Sequence, residues 1–220
     1  MTNSINAFES WLQLDSVPYY FFYYYVPVRV AYPSDESIKV REAVWSFKDG
    51  IQQDKFIDIL EKKIGCSFER PDLLTLVCIP ASTSHTNTKR FESFSNKLCG
   101  RLGMINGFQH VSILTEKTPS HRGGNEVSTY EFDSSFFQGK KVVLFDDVVT
   151  RGTSMSRFIN YMNSLGAEVV CCISLCLTFY GLKMSNDVSN PWTGNAVLTL
   201  GSQRAPDPDN DDPDNDEGLL

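Results

Sequence analysis

Residues 142–154 read VVLFDDVVTRGTS, an apolar run that meets two adjacent aspartates and then passes through hydroxyl residues and a glycine into a helical pattern. An uninterrupted apolar run of this length reads as a strand buried on both faces, which places Asp146 and Asp147 at its end. Like charges side by side resist burial. A folded chain keeps such a pair where water, a cation or a polyhydroxyl ligand can reach it. Beyond the pair, Gly152 permits a tight turn, and Thr150, Thr153 and Ser154 supply hydroxyl donors. The first amides of the helix that follows have no intrahelical partner. Together these groups make a seat for a phosphate dianion. The spacing fits neither G-x-x-x-x-G-K-[ST] nor G-x-G-x-x-G.

The flanking chain keeps a regular rhythm. LLTLVCIPA (73–81), HVSILTE (110–116), KKVVLFDD (140–147) and AEVVCCISLCLTF (167–179) read as strands. ESFSNKLCGRLG (92–103) reads as a helix ending at Gly103, and SMSRFINYMNSLG (154–166) as a helix with Phe158, Met162 and Leu165 on one face. Apolar strands alternating with helices imply a doubly wound, mainly parallel α/β sheet whose ligand lies at the carboxyl ends of its strands. Upstream, IQQDKFIDILEKKIG (51–65) reads as a helix stopped by Gly65, with Phe56, Ile57, Leu60 and Ile64 on one face. YYFFYYYVPVRV (19–30) reads as a strand, and residues 1–16 as an amphipathic segment carrying Phe8, Trp11 and Leu12. The expected division is an N-terminal hood of strand and helix at 1–70, a core at 71–204 and a disordered acidic tail at 205–220.

Charge supports that division. The 220-residue chain has a net charge of -7, but seven of its 27 acids lie between Asp207 and Glu217, so the other 20 face 20 Lys and Arg. A neutral body argues against a sequence-independent grip on nucleic acid. The tail APDPDNDDPDNDEGLL is too poor in apolar residues to fold, and its acids suit either solubility or a basic protein partner. Six cysteines form no CxxC pair, and four of them sit within strand-like apolar runs. No secretory leader or membrane-spanning run is visible, so the expected setting is cytoplasmic, with reduced thiols and no membrane contact.

The 142–154 stretch closely resembles the phosphoribosyl pyrophosphate (PRPP) signature of type I phosphoribosyltransferases: four apolar residues, two acids, two apolar residues, then T-T-G-x-T or a near variant. The resemblance implies that Asp146 and Asp147 face the ribose hydroxyls and, through ligand or water, Mg2+. It implies that Val148, Val149, Thr150, Arg151, Gly152, Thr153 and Ser154 form the loop around the 5-phosphate. Arg151 stands where a second threonine is commonest, and orotate-type members tolerate change there. RFESFSNKLCGRLG (90–103), VSILTEKTPSHRGG (111–124) and GKKVVLFDDVVT (139–150), with VWSFKDG (44–50) upstream, are similar in order and spacing to the competence-protein ComF group. The cysteine ribbon common at the ComF N-terminus is missing, and the helix after Arg90 is shorter.

Family logic asks for a second anion loop. PASTSHTNTKR (80–90) stands in its place, with Ser82, Thr83 and Ser84 as donors and Lys89 and Arg90 as countercharges for pyrophosphate. His85 reads as a solvated loop residue. TEKTPSHRGGN (115–125) matches the mobile hood loop, from which Lys117 is assigned a catalytic part and Arg122 is a second cation. The implied activity is Mg2+-dependent transfer of ribose 5-phosphate from PRPP to a small nitrogenous acceptor, with pyrophosphate released, in a chain that could act as a homodimer. The competing reading is a non-enzymatic PRPP or nucleotide-binding regulator, or a ComF-like accessory protein of DNA uptake or a defence system.

Overall fold

A computed structural model describes residues 12–29, 34–115 and 129–179. The chain is mixed α/β, built on a six-stranded, mainly parallel sheet. In chain order its strands are β1 (Leu12–Leu14), β2 (Val17–Tyr25), β3 (Leu74–Cys78), β4 (Ile105–Asn106), β7 (Lys141–Val149) and β8 (Glu168–Thr178). Across the sheet they run β1-β2-β8-β7-β3-β4. All neighbours are parallel except β1 and β2, a hairpin closed at Leu14 and Val17. Its two loop residues, Asp15 and Ser16, both take positive φ (50° and 67°), the turn whose twist suits a two-residue hairpin.

The three central strands are buried nearly throughout, as an apolar strand covered on both faces must be. One face is covered by α1 (Asp35–Lys48), α2 (Asp54–Ser67) and α4 (Ser93–Leu102). Phe47, Phe91, Phe94 and Phe145 meet there edge-on or tilted, with Phe94 and Phe145 ring centres 4.6 Å apart. Each fully buried ring contributes roughly 1.5–3 kcal/mol of apolar transfer. The other face is covered by α6 (Thr153–Ser164), which buries Met155, Phe158, Ile159 and Met162. No helix among the described residues is long and apolar enough to cross a membrane.

Several elements differ from the sequence reading. Residues 12–14 form a strand rather than part of a helix, and α2 runs through Gly65 to Ser67. HVSILTE does not join the central sheet: β5 (Val111–Thr115) pairs antiparallel with β6 (Thr129–Phe132), ahead of the short α5 (Ser134–Phe137). The helix expected from Glu92 begins earlier, as α3 (Ser84–Asn87), continues through a π-helical turn (Thr88–Glu92) and becomes α4. Polar residues 84–89 carry no apolar periodicity, so packing rather than pattern decides their state. Gly103 ends α4 with φ 69°, as expected of a left-handed C-terminal glycine. Of the expected hood, β2 pairs directly with β8, and α1 and α2 pack on the sheet. Phe8, Trp11, Lys117, Arg122 and the acidic tail lie outside the described residues.

Five cysteines are buried and Cys66 is exposed. Burial pushes the Cys99 and Cys171 thiols up to about 12 and the Cys78 thiol well above its ordinary range, so these groups act as core side chains rather than nucleophiles.

Candidate active site

Strands β3 and β7 are parallel neighbours, with Cys78 opposite Phe145. The Ile79 amide donates to the Phe145 carbonyl at 2.8 Å, so the loop leaving β3 starts beside the residue preceding the acid pair. Parallel pairing therefore brings the two loops read as anion seats to one edge of the sheet.

The acid pair lies within β7, which continues through it to Val149. Asp146 is half-buried. Asp147 is only 4% exposed, so the pair does not stand beside solvent as the sequence suggested. Asp146 Oδ1 accepts from the Asp147 amide at 2.8 Å, and Asp147 Oδ1 accepts from the Val148 amide at 2.7 Å. Arg90 Nη1 lies 3.1 Å from Asp147 Oδ2, and both side chains are more than nine-tenths buried. A buried carboxylate of this kind requires a partner, and Arg90 is it. Burial first, and then the adjacent Asp147 carboxylate, hold the Asp146 carboxyl well above the usual carboxylate range, with Arg90 opposing them.

Beyond the pair, Val148 and Val149 point into the two cores, leaving their main chain to line the loop. Gly152 takes φ 74° as the N-cap of α6, a conformation that costs a β-carbon-bearing residue about 1–2 kcal/mol. No side chain caps this helix start, so its first amides face outward at the positive end of a 12-residue helix. Thr153, Ser154 and Arg151 are exposed around it. Thr150 Oγ1 meets Thr178 Oγ1 of β8 at 3.2 Å, tying the loop to the next strand. An uncapped helix start ringed by exposed hydroxyls is able to receive an anion.

The second expected loop is shorter than the sequence suggested. Ala81 donates its amide to Asn87 Oδ1 at 3.1 Å. Thr83 is the N-cap of α3, in a reciprocal capping box with Thr86. Ser84, Lys89 and Arg90 therefore lie on helix, not loop, and so does His85. Lys89 pairs with Asp49 at 2.6 Å on the surface, and Arg90 turns inward to Asp147. Ser82 remains in the loop, partly buried.

Three contributors escaped the sequence reading. Asn87 and Thr86 brace the short loop from inside what looked like a polar linker. Gln53, buried between α1 and α2, donates to the carbonyls of Arg90 (2.7 Å) and Phe47 (3.0 Å). Nothing in its local sequence marks Gln53 apart from Gln52.

Carboxylate oxygens suit a hard divalent cation such as Mg2+. Among the described residues no group of three or more His, Cys, Asp or Glu is placed to hold one, so an ion here would need oxygens from a ligand.

Residues 96–194 match the phosphoribosyl transferase domain family. Those 99 residues are similar to that domain. That span contains the acid pair and the whole loop from Val148 to Ser154, while the loop after β3 precedes it. The mainly parallel α/β sheet accords with this domain. Among solved structures, an adenine phosphoribosyltransferase from Thermoanaerobacter pseudethanolicus is similar, with 17% identity, a TM-score of 0.37, and coverage of 58% of this chain and 83% of that one. A purine phosphoribosyltransferase from Pyrococcus horikoshii is similar at 17% identity and a TM-score of 0.32, over 63% of this chain and 94% of that one. No curated protein matches the chain.

Proposed function

We propose that the protein is a phosphoribosyltransferase that takes ribose 5-phosphate from PRPP, passes it to a nitrogenous acceptor and releases pyrophosphate. The observation that carries this reading is the acid pair, with Asp146 half-buried and Asp147 buried, followed within one loop by an uncapped helix start with Gly152 in the left-handed region. A diol answers the carboxylates and a phosphate dianion answers the amides. PRPP presents both groups on one sugar.

In this reading the amides at the start of α6, with the hydroxyls of Thr150, Thr153 and Ser154, hold the 5-phosphate. Asp146 accepts from the ribose hydroxyls. The acceptor nitrogen forms a bond to the anomeric carbon as the bond to pyrophosphate breaks, and pyrophosphate leaves with the electron pair. The ribose carries oxocarbenium-like charge in between, which the acid pair stabilises. Ser82 and the loop after β3 receive the leaving group, and Lys89 can join them, because an exposed ion pair such as Lys89 with Asp49 is worth at most about 1 kcal/mol. Lys117 is proposed to close over it. Mg2+ bound with PRPP would neutralise pyrophosphate charge, held by Asp146 through ligand or water. The similarity in motif order between 44 and 150 supports a ComF-like branch within this reading.

The test is a melting curve with PRPP and Mg2+, followed by pyrophosphate release with a panel of nucleobases and amines. A ligand that binds only the folded state raises its melting temperature by mass action. No shift at millimolar PRPP sinks the proposal. A shift without pyrophosphate release for any acceptor would favour a PRPP-sensing regulator.

A further inference from the structure

Resting on the ribose-binding reading above, we infer that the two aspartates have separate tasks: Asp146 takes the sugar, whereas Asp147 is held internally by Arg90, and Gln53 is the positioning residue that sets Arg90. Both oxygens of Asp147 are engaged within the protein. Oδ1 accepts from the Val148 amide, and Oδ2, which has no hydrogen bond in the described residues, faces Arg90 Nη1 at 3.1 Å. Asp146 is the more exposed member, and its Oδ1 accepts from the Asp147 amide.

Arg90 reaches Asp147 from the π-helical turn at Thr88–Glu92. Such turns interrupt the regular hydrogen-bond ladder and are concentrated at functional sites. This one is gripped at three points by the loop joining α1 to α2. Asp49 pairs with Lys89 at 2.6 Å. Gly50, at φ +72°, lies so close that a β-carbon there would stand 2.6 Å from the Lys89 carbonyl oxygen. Gln53, 4% exposed, donates to the Arg90 carbonyl inside the turn. A loop remote in sequence from the acid pair thus fixes the turn that supplies its countercharge. Arg90, read from sequence as a pyrophosphate ligand, serves Asp147 instead.

Calorimetry on the full chain with three probes tests this: inorganic phosphate, ribose 5-phosphate and 2-deoxyribose 5-phosphate. The wild type should prefer the ribose over the deoxyribose ester by roughly tenfold, the worth of one hydrogen bond to a charged group. Asp146→Asn should erase that preference. Gln53→Leu and Arg90→Gln should reduce it severalfold while leaving the affinity for inorganic phosphate at the wild-type value, which a merely loosened fold would not do. Folded Gln53→Leu and Arg90→Gln proteins that keep the full preference overturn the inference. If Arg90→Gln does not fold, Gln53→Leu decides, since it removes no charge. A wild type that binds phosphate but shows no preference between the sugars overturns the ribose reading itself, and with it this inference.

Discussion

The Tyr19 hydroxyl donates to Ser174 Oγ at 2.7 Å, and Ser174 is the β8 residue paired with Asp146. Ser174 in turn donates its only hydroxyl proton to the Cys176 carbonyl at 2.9 Å. The relay links β2 to the strand beside the acid pair, in a region where burial raises the Tyr19 phenol far above its ordinary range.

That direction of donation predicts an asymmetry. Tyr19→Phe leaves Ser174 with its carbonyl partner and should cost about 0.5–1.5 kcal/mol, the worth of one net hydrogen bond. Ser174→Ala strands a buried phenol donor and should cost more, about 1–3 kcal/mol. Urea denaturation of both variants checks the order, and equal losses would refute the relay.

Substituting the two aspartates should have opposite effects on stability. Asp147→Asn breaks the buried ion pair with Arg90 from one side and should cost about 3–5 kcal/mol. Asp146→Asn removes a desolvated acid from beside another acid and should be neutral or stabilising at neutral pH. Thermal melts of the single variants decide this. If Asp147→Asn melted like the wild type, the buried ion pair would contribute nothing.

The same desolvation sets a pH dependence. The folded Asp146 carboxyl titrates above its ordinary 3.8, so the folded state binds the proton more tightly than the unfolded state. Its contribution is fully present below 3.8 and is lost as pH rises through the folded value. Asp147, Arg90, Tyr19 and Cys78 are the ionisable groups that sense or shift it. Metal-free wild type should therefore lose stability relative to Asp146→Asn as pH rises through that window. Parallel stability curves for the two proteins would contradict the assignment.

Gly50 and Gly139 offer a matched pair, at φ +72° and +73°. Alanine at Gly139 meets nothing within 4 Å and should cost only the left-handed penalty of about 1–2 kcal/mol. Alanine at Gly50 adds a 2.6 Å collision with a main-chain oxygen, so its loss should be clearly larger. Equal losses in chemical denaturation would mean that the α1–α2 loop can yield.

What the sequence by itself determined is what contiguous residues can encode. Continuous apolar runs specified β3, β7 and β8 because strands covered on both faces need no polar alternation. The acid pair and the 150–154 loop were legible because strand end, turn glycine and helix start follow one another along the chain. Tertiary structure alone decided which acid is buried and what neutralises it. Arg90 and Gln53 meet through helices that close on the sheet, and no local pattern in KRFE or IQQD carries that pairing. The same holds for the helical state of residues 84–89, whose polar side chains lack periodicity and are held by a capping box and by the α1–α2 loop. Local periodicity follows from backbone geometry. The charge pairing in the core follows from which surfaces exclude water together, and only the folded chain sets that.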